Sequence, residues 1–292
     1  MLLHHYISAT HGPDALKDSR LFASRVSSFN DPLELTFQLV GQISVDQARQ
    51  QIISRRDSVT ELAPFLSYLY DGLADKSPKP DSHESALKIL SDAARLTRFA
   101  AEFARRVNAW NYPVFHETMG KNAEKHLRVI CFCDAEKINP ANNMLMWAHY
   151  ADKHRGLRFT IRYPADVKLH RINYVPERIA ISRELEPNHP DFAAALSKTL
   201  STKWDAWRYE EEVRLLVDAK TAYSEKTPTS TKEFVHFKPE WIERIDIGTG
   251  ADVHLVKMVT EIRRQKYRHA ELNRAKIHAS DYLLDYEPIP LT

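Results

Sequence analysis

From Leu35 to Lys125 the chain reads as helix almost without interruption, and on either side of this block apolar residues alternate as they do in strands. Ser44-Val45-Asp46-Gln47 and Ser58-Val59-Thr60-Glu61 have the form of helix starts, in which a serine hydroxyl and a side chain three residues on satisfy the first free N–H groups. From His83 to Trp110, Ala86, Ile89, Ala93, Leu96, Ala100 and Phe103 recur at steps of three and four, which is the buried stripe of one long helix. A proline-rich linker, residues 76–82, precedes it. The block carries no chemical motif. With strands gathered toward both ends, the pattern predicts one α+β domain over residues 1–292, with a helical insertion at 35–125.

Outside the block, strands are expected at Leu2–Ser8, Leu21–Ser24, Leu127–Cys133, Leu157–Tyr163, Arg171–Val175, Glu210–Val217, Phe234–Phe237, Ile242–Ile247, Ala275–Ala279 and Tyr282–Tyr286. Helices are expected at Asp14–Asp18, from Asn139-Pro140 to a last turn at Lys153-His154-Arg155 before Gly156, at Pro190–Trp207 and at Val253–Tyr267. Residues 218–232 read as a polar loop. In Leu157–Tyr163 the apolar residues alternate with Arg158, Thr160 and Arg162, as in a strand with one solvated face.

Glycine narrows the fold further. Only seven of 292 residues are glycine and none forms GxGxxG or GxxxxGK, which disfavours the classical dinucleotide-binding and P-loop folds. Forty-one basic against thirty-nine acidic residues leave a formal charge of +2, which by itself demands no polyanionic partner. There is no run of eighteen apolar residues and the first residues lack a signal-peptide pattern, so a cytoplasmic location and no membrane partner are expected. Cys131 and Cys133 would share one strand face as reduced thiols, and no metal site is expected from them. The oligomeric state is not legible.

The stretch Trp207-Arg-Tyr-Glu-Glu-Glu-Val-Arg-Leu-Leu-Val217 packs charge against an apolar run. Read with period two, Glu210, Glu212 and Arg214 share one face, and Glu211 joins Tyr209 and Val213 on the other. Carboxylates and a guanidinium in a buried strand must pair with one another or line a cleft, and a cleft would shift their pKa values. Asn30-Asp31-Pro32 is turn chemistry with proline opening a helix, which would place Glu34 in a first turn. His5 would point inward from the first strand, and Met144, Trp147 and Tyr150, with His149 one position round, form an aromatic stripe.

In this order, H-H-Y near the start, S-S-F-N-D-P-L-E, C-F-C, L-M-W-A-H-Y-A followed by His154-Arg155-Gly156, and W-R-Y-E-E-E-V-R resemble a widespread bacterial domain-of-unknown-function family. Its pattern runs H-Y, F-N-D-P-x-E, C-F-S, M-W-x-x-Y and W-x-Y-E-x-E-x-R. The matches span Leu3 to about Gly248 and leave the helical block aside. More distantly the layout is similar to ADP-ribosyltransferases, which implies a small split antiparallel or mixed sheet that binds NAD without a glycine-rich loop. That similarity implies that His5 contacts the cofactor, that Tyr6 or Tyr150 stacks on nicotinamide, and that Glu212 or Glu210 holds the nicotinamide ribose. A neighbouring glutamate would serve as base, and Arg214 would bind phosphate or hold the carboxylates. Asn30, Asp31, Trp147 and His149, in the matching stretches, and Ser24, at the end of the second strand before the serine-containing loop, are further cofactor-binding candidates. His5 and Tyr6 face opposite sides of a regular strand, which favours Tyr150 for stacking.

The function implied is an NAD-using transferase that modifies a protein or nucleic acid, as a toxin or phage-defence effector. Two alternatives stay open. One is a metal-dependent nuclease that gathers Asp31, Glu34, Glu210 and Glu212 around a divalent cation. The other is a non-catalytic binding module in which the same motifs only build the fold.

Overall fold

The computed structural model describes residues 1–31, 33–73, 77–109, 112–185, 191–226 and 231–290, and of 112–115 and 118 the backbone alone. Pro32, Lys76, Trp110 and Pro190, each expected at the edge of an element, lie outside the described residues. In chain order the elements are β1 (Leu2–Ile7), α1 (Gly12–Asp18), β2 (Arg20–Phe22), β3 (Gln38–Val40), α2 (Val45–Ile53), α3 (Leu62–Tyr70), α4 (His83–Ser91), α5 (Ala93–Ala109) and α6 (Tyr112–His126). Then follow β4 (Leu127–Asp134), α7 (Pro140–Tyr150), β5 (Leu157–Arg162), β6 (Leu169–Arg171), β7 (Asn173–Val175), β8 (Ala180–Ser182), α8 (Phe192–Leu200), β9 (Thr202–Trp204) and β10 (Glu212–Asp218). The chain closes with β11 (Tyr223–Lys226), β12 (Thr231–His236), β13 (Ile242–Ile247), α9 (Val253–Lys266), β14 (Glu271–Ile277) and β15 (Leu284–Pro288).

Helices and strands are mixed, and the chain divides into two compact units. The first comprises residues 1–34, 123–177 and 201–292. It is built on an eight-stranded sheet of order β15-β14-β13-β5-β1-β4-β10-β6, antiparallel among the described residues except where β13 runs parallel to β14. One face carries Leu3, Phe159, Ile161, Val213 and Ile245 against α1 and α9, which contribute Leu16, Leu255 and Val259. A three-stranded sheet of order β11-β12-β2 belongs to the same unit.

The second face of β5 is solvated only at its end, at Arg162, and is buried at Arg158 and Thr160. Arg158 is 1% exposed, and its Nε and Nη2 both donate to Asp246 Oδ2, at 2.9 and 2.7 Å. Asp246 also accepts from Arg244 Nε at 3.1 Å and Asn273 Nδ2 at 3.1 Å. Because β5 lies inside the sheet, a charge there survives only with its partners around it.

Helix α7 also ends sooner than expected, at Tyr150 instead of Arg155. Asp152, Lys153 and His154 all have positive φ, at 49, 53 and 66°. The cause is the chain beyond them: a Cβ on Gly156 would collide with the Ile7 carbonyl, so the backbone must turn sharply to lie against β1. His154 N–H donates to the Trp147 carbonyl at 3.1 Å, and the His154 carbonyl accepts from Gly250 N–H at 2.9 Å. Elsewhere the expected helix to Trp207 stops at Leu200, and the expected loop at 218–232 contains β11.

The second unit comprises residues 35–122 and 178–200. Ile52, Leu62, Leu66, Ile89 and Phe99 form its core. It is not wholly helical, since β3 pairs in parallel with β8. Ser44 makes its capping box, with Gln47 N–H to Ser44 Oγ at 3.1 Å and Ser44 N–H to Gln47 Oε1 at 2.7 Å. The box expected at Ser58 does not form; α3 begins at Leu62 behind Glu61, which has no side-chain capping bond. The single long helix expected from His83 is interrupted at Asp92, whose ψ is 103° and whose carboxylate accepts from Ala94 and Arg95 N–H at 3.0 Å each. Among the described residues no helix is long and apolar enough to cross a membrane.

Removing Arg158 leaves the buried Asp246 with only the partly exposed Arg244 as its cation. Arg158→Ala is expected to cost about 3–5 kcal/mol of unfolding free energy, read by urea titration; a loss below about 1 kcal/mol would show that Asp246 needs no such partner.

Candidate functional site

β1 keeps its pairing with β5 over its whole length, from Leu2 opposite Arg162 to Ile7 opposite Leu157. With β4 it pairs only at Leu3 and His4, opposite Asp134 and Cys133. β4 follows β10 instead, from Cys133 opposite Glu212 to Leu127 opposite Asp218. The sheet therefore opens between β1 and β4 beyond His4. Further along β4, Ser24 exchanges two backbone hydrogen bonds with Val129, at 2.8 and 2.9 Å.

The opened edges line a cavity of about 570 Å³. This volume lies in the range of small-molecule sites. At one end of it five charges meet. Lys203 Nζ, on β9, lies 2.7 Å from Glu210 Oε2, 3.0 Å from Glu212 Oε2 and 3.3 Å from Glu34 Oε1. Arg214 Nε donates to Glu212 Oε1 at 2.6 Å, its Nη2 to Glu212 Oε2 at 3.1 Å, and Nη2 also pairs with Glu34. Glu210 accepts from the Tyr150 hydroxyl at 2.6 Å, and the backbone N–H of Glu212 donates to the Tyr174 hydroxyl at 2.8 Å.

The two glutamates facing the cavity are driven apart. Burial would raise both, but Arg214 and Lys203 outweigh it at Glu212, which is held well below the usual carboxylate range. At Glu210 burial prevails over Lys203, with the Glu212 charge adding to it, and the pKa is raised. Glu212 is thus the more firmly ionised of the pair and Glu210 the more readily protonated. Lys203 stays protonated: burial lowers its pKa, but Glu212, Glu34 and Glu210 together raise it.

His5 Nδ1 lies 3.0 Å from the Cys131 carbonyl. A carbonyl only accepts, so Nδ1 carries the proton and Nε2 remains an acceptor. Burial lowers His5 to about 4, with the carbonyl bond opposing, so the ring is neutral at pH 7. Cys131 is open to the cavity, yet its thiol is pushed well above its ordinary pKa by burial and by Glu212.

His5, Tyr6, Ser24, Asn30, Tyr150, Glu210 and Glu212 all line the cavity, although β1 shows no bulge. The freed edge of β1 exposes both of its faces to the opening, which removes the objection to His5 and Tyr6 sharing a cleft. Four candidates fall elsewhere. Trp147 is fully buried and donates Nε1–H to the Tyr286 hydroxyl at 3.1 Å, so it is core. His149 is exposed on α7 and does not line the cavity. Asp31 is used up in its turn, accepting from Leu33 N–H at 2.8 Å and from Trp207 Nε1–H at 2.7 Å. Arg214 does not line the cavity either; it stands behind Glu212 and holds it.

Glu34 is in no helix, since residues 33–35 are turn and Leu35 has φ 60°. Glu210 is not in a strand: it ends a short 3-10 turn, Asp205–Glu210, and Glu211 at φ 45° separates it from β10. The kink still returns Glu210 to the face of Glu212. Lys203 was concealed inside an expected helix. Its signal was charge balance, because three buried carboxylates beside one arginine require a second cation.

The lowered pKa of His5 has a definite sign in stability. An unfolded histidine takes a proton near its ordinary 6.5, whereas folded His5 does so only at about 4. Between these values the unfolded chain binds the extra proton, so stability falls as pH drops from 6.5 to about 4 and levels off below. His4, lowered to about 2 mainly by burial, extends the same loss to lower pH. His5→Gln is expected to lessen the slope above pH 4 and leave the share due to His4, measured by denaturant unfolding at fixed pH values; an unchanged slope would show that His5 is not held neutral.

No family model, curated protein or solved structure matches the chain.

Proposed function

We propose that the cavity is the active site of an NAD-dependent ADP-ribosyltransferase-like enzyme that modifies a macromolecule, protein or nucleic acid, as a toxin or phage-defence effector. The observation that carries the proposal is the meeting of His5, Tyr150, Glu210 and Glu212 at one cavity where the sheet opens between β1 and β4. A split sheet and the absence of a glycine-rich loop both suit that class. Charge suits it too. Three carboxylates against two cations leave one negative charge uncompensated if all are ionised.

NAD, when bound, would supply a cationic nicotinamide whose bond to ribose breaks with its electron pair, releasing neutral nicotinamide as the acceptor's nucleophile bonds to the same carbon. Glu212, kept ionised by Arg214 and Lys203, would stabilise the positive charge developing on the ribose and accept from its hydroxyl. Glu210 would take the proton lost by the acceptor, with Tyr150 fixing its orientation. His5, neutral, would accept a hydrogen bond through Nε2 instead of contributing charge.

One observation favours the binding-module alternative: Glu210 and Glu212 are 2% and 5% exposed and every one of their carboxylate oxygens has a partner. Against the nuclease, the centre of the three carboxylates is filled by the Lys203 ammonium, and no described group of acidic, histidine or cysteine side chains has a metal-binding arrangement.

The test is incubation with labelled NAD and a mixture of cell protein and nucleic acid. Label transfer with release of nicotinamide is expected, and Glu212→Gln should lower the rate by roughly 10²–10³, with folding checked by circular dichroism. No NAD loss with the native chain, or a native rate in Glu212→Gln and in Glu210→Gln, would leave the binding module in its place.

A further inference from the structure

The three-stranded sheet β11-β12-β2 has one face turned to the core, with Leu21 and Val235 packed into it and Glu233 paired to Arg128. Its opposite face is aromatic and lies largely open. Register places Tyr223, Phe234 and Phe22 in one row across all three strands, since Tyr223 stands opposite Phe234 and Phe234 opposite Phe22. Tyr223 is 54% and Phe22 44% exposed, a costly arrangement for rings that serve only to pack.

Basic groups flank the row. In the next row His236 stands opposite Arg20, whose guanidinium lies 4.1 Å from the Phe234 ring centroid. On the other side Lys232 stands opposite Glu225. That carboxylate pairs with Arg20 instead, at 2.8 Å, and Asp18 also pairs with Arg20 at 3.0 Å. Among the described residues Lys232 makes no ion pair, so its ammonium is the available charge of the face. Arg20, Phe22, Lys232 and Phe234 also line the cavity that holds Glu210 and Glu212, so the face and the cavity are continuous.

We infer that this face binds a single-stranded nucleic acid, stacking bases on the exposed rings of Phe22 and Tyr223 on either side of the Arg20-covered Phe234, holding a phosphate at Lys232, and leading a nucleotide toward the cavity. Every base has a flat ring that can stack on an exposed aromatic, whereas in a duplex those rings are covered by their neighbours. A row of rings across a sheet, with a free ammonium beside it, matches an unpaired strand better than a protein surface. The inference rests on the transferase proposal in one respect: it names nucleic acid as the acceptor class.

Binding is measured without NAD, so that it does not depend on catalysis. The probe is a fluorescein-labelled single strand of about 12 nucleotides, followed by fluorescence anisotropy against the full chain, with the matching duplex alongside. The single strand is expected to bind more tightly than the duplex. Phe22→Ala and Tyr223→Ala should each weaken it about 5- to 150-fold, the loss of one base stack, while Tyr223→Phe retains affinity. Lys232→Ala should weaken it and flatten its salt dependence by about one phosphate contact. Both rings are half exposed, and circular dichroism confirms that the variants fold. No binding, equal binding of the duplex, or unchanged affinity in Phe22→Ala and Tyr223→Ala would overturn the inference. Ring-dependent binding with no NAD chemistry would leave this surface standing and remove the transferase; NAD transfer to protein without such binding would do the reverse.

Discussion

Three carboxylates and two cations buried together hold the opened sheet in its shape. Glu34 comes from the turn after β2, Lys203 from β9, Glu210 from the turn before β10, and Glu212 and Arg214 from β10 itself. None of these charges is tolerable alone in such a place, because an unpaired buried ion costs several kcal/mol. The segments must therefore arrive together. Arg214 is the hinge of the arrangement, since it grips both oxygens of Glu212 and reaches Glu34 from the side away from the cavity. The cluster is thus structural at its back, while Glu210 and Glu212 line the cavity at its front.

That double character explains which residues could be read from the sequence. The alternation around Glu212 and Arg214 placed them on one buried face, and their pairing followed from burial alone. Period two puts Glu210 on the same strand, whereas it reaches the same place by another route, through a left-handed Glu211 that no periodicity announces. β1, β4, β5 and β13 were legible because each is long enough to show alternation. β9, at three residues, was not, and Lys203 was hidden with it.

The misplaced candidates share a cause. Trp147, His149 and Asp31 lie within motif stretches, and proximity in a motif does not set direction. On α7, Tyr150 faces the cavity, Trp147 faces Tyr286 and His149 faces water. Asp31 is taken by the indole of Trp207, a partner 176 residues away that no local pattern reveals. The reverse happened on β5, where Arg158 looked solvated because its carboxylate, Asp246, is supplied 88 residues later. Long-range ion partners are the part of a fold that local periodicity cannot contain.

The electrostatics also limit what chemistry the cavity can perform. Cys131 and Cys133 both line it, and a nucleophilic role would require a thiolate in each case. Burial and the adjacent glutamates push both thiols well above their ordinary pKa, Glu212 acting on Cys131 and Glu210 on Cys133. The same negative field that disables the sulfurs favours a cationic centre in front of Glu212. A site so charged is poor at generating an anionic nucleophile and favourable to positive charge placed before Glu212.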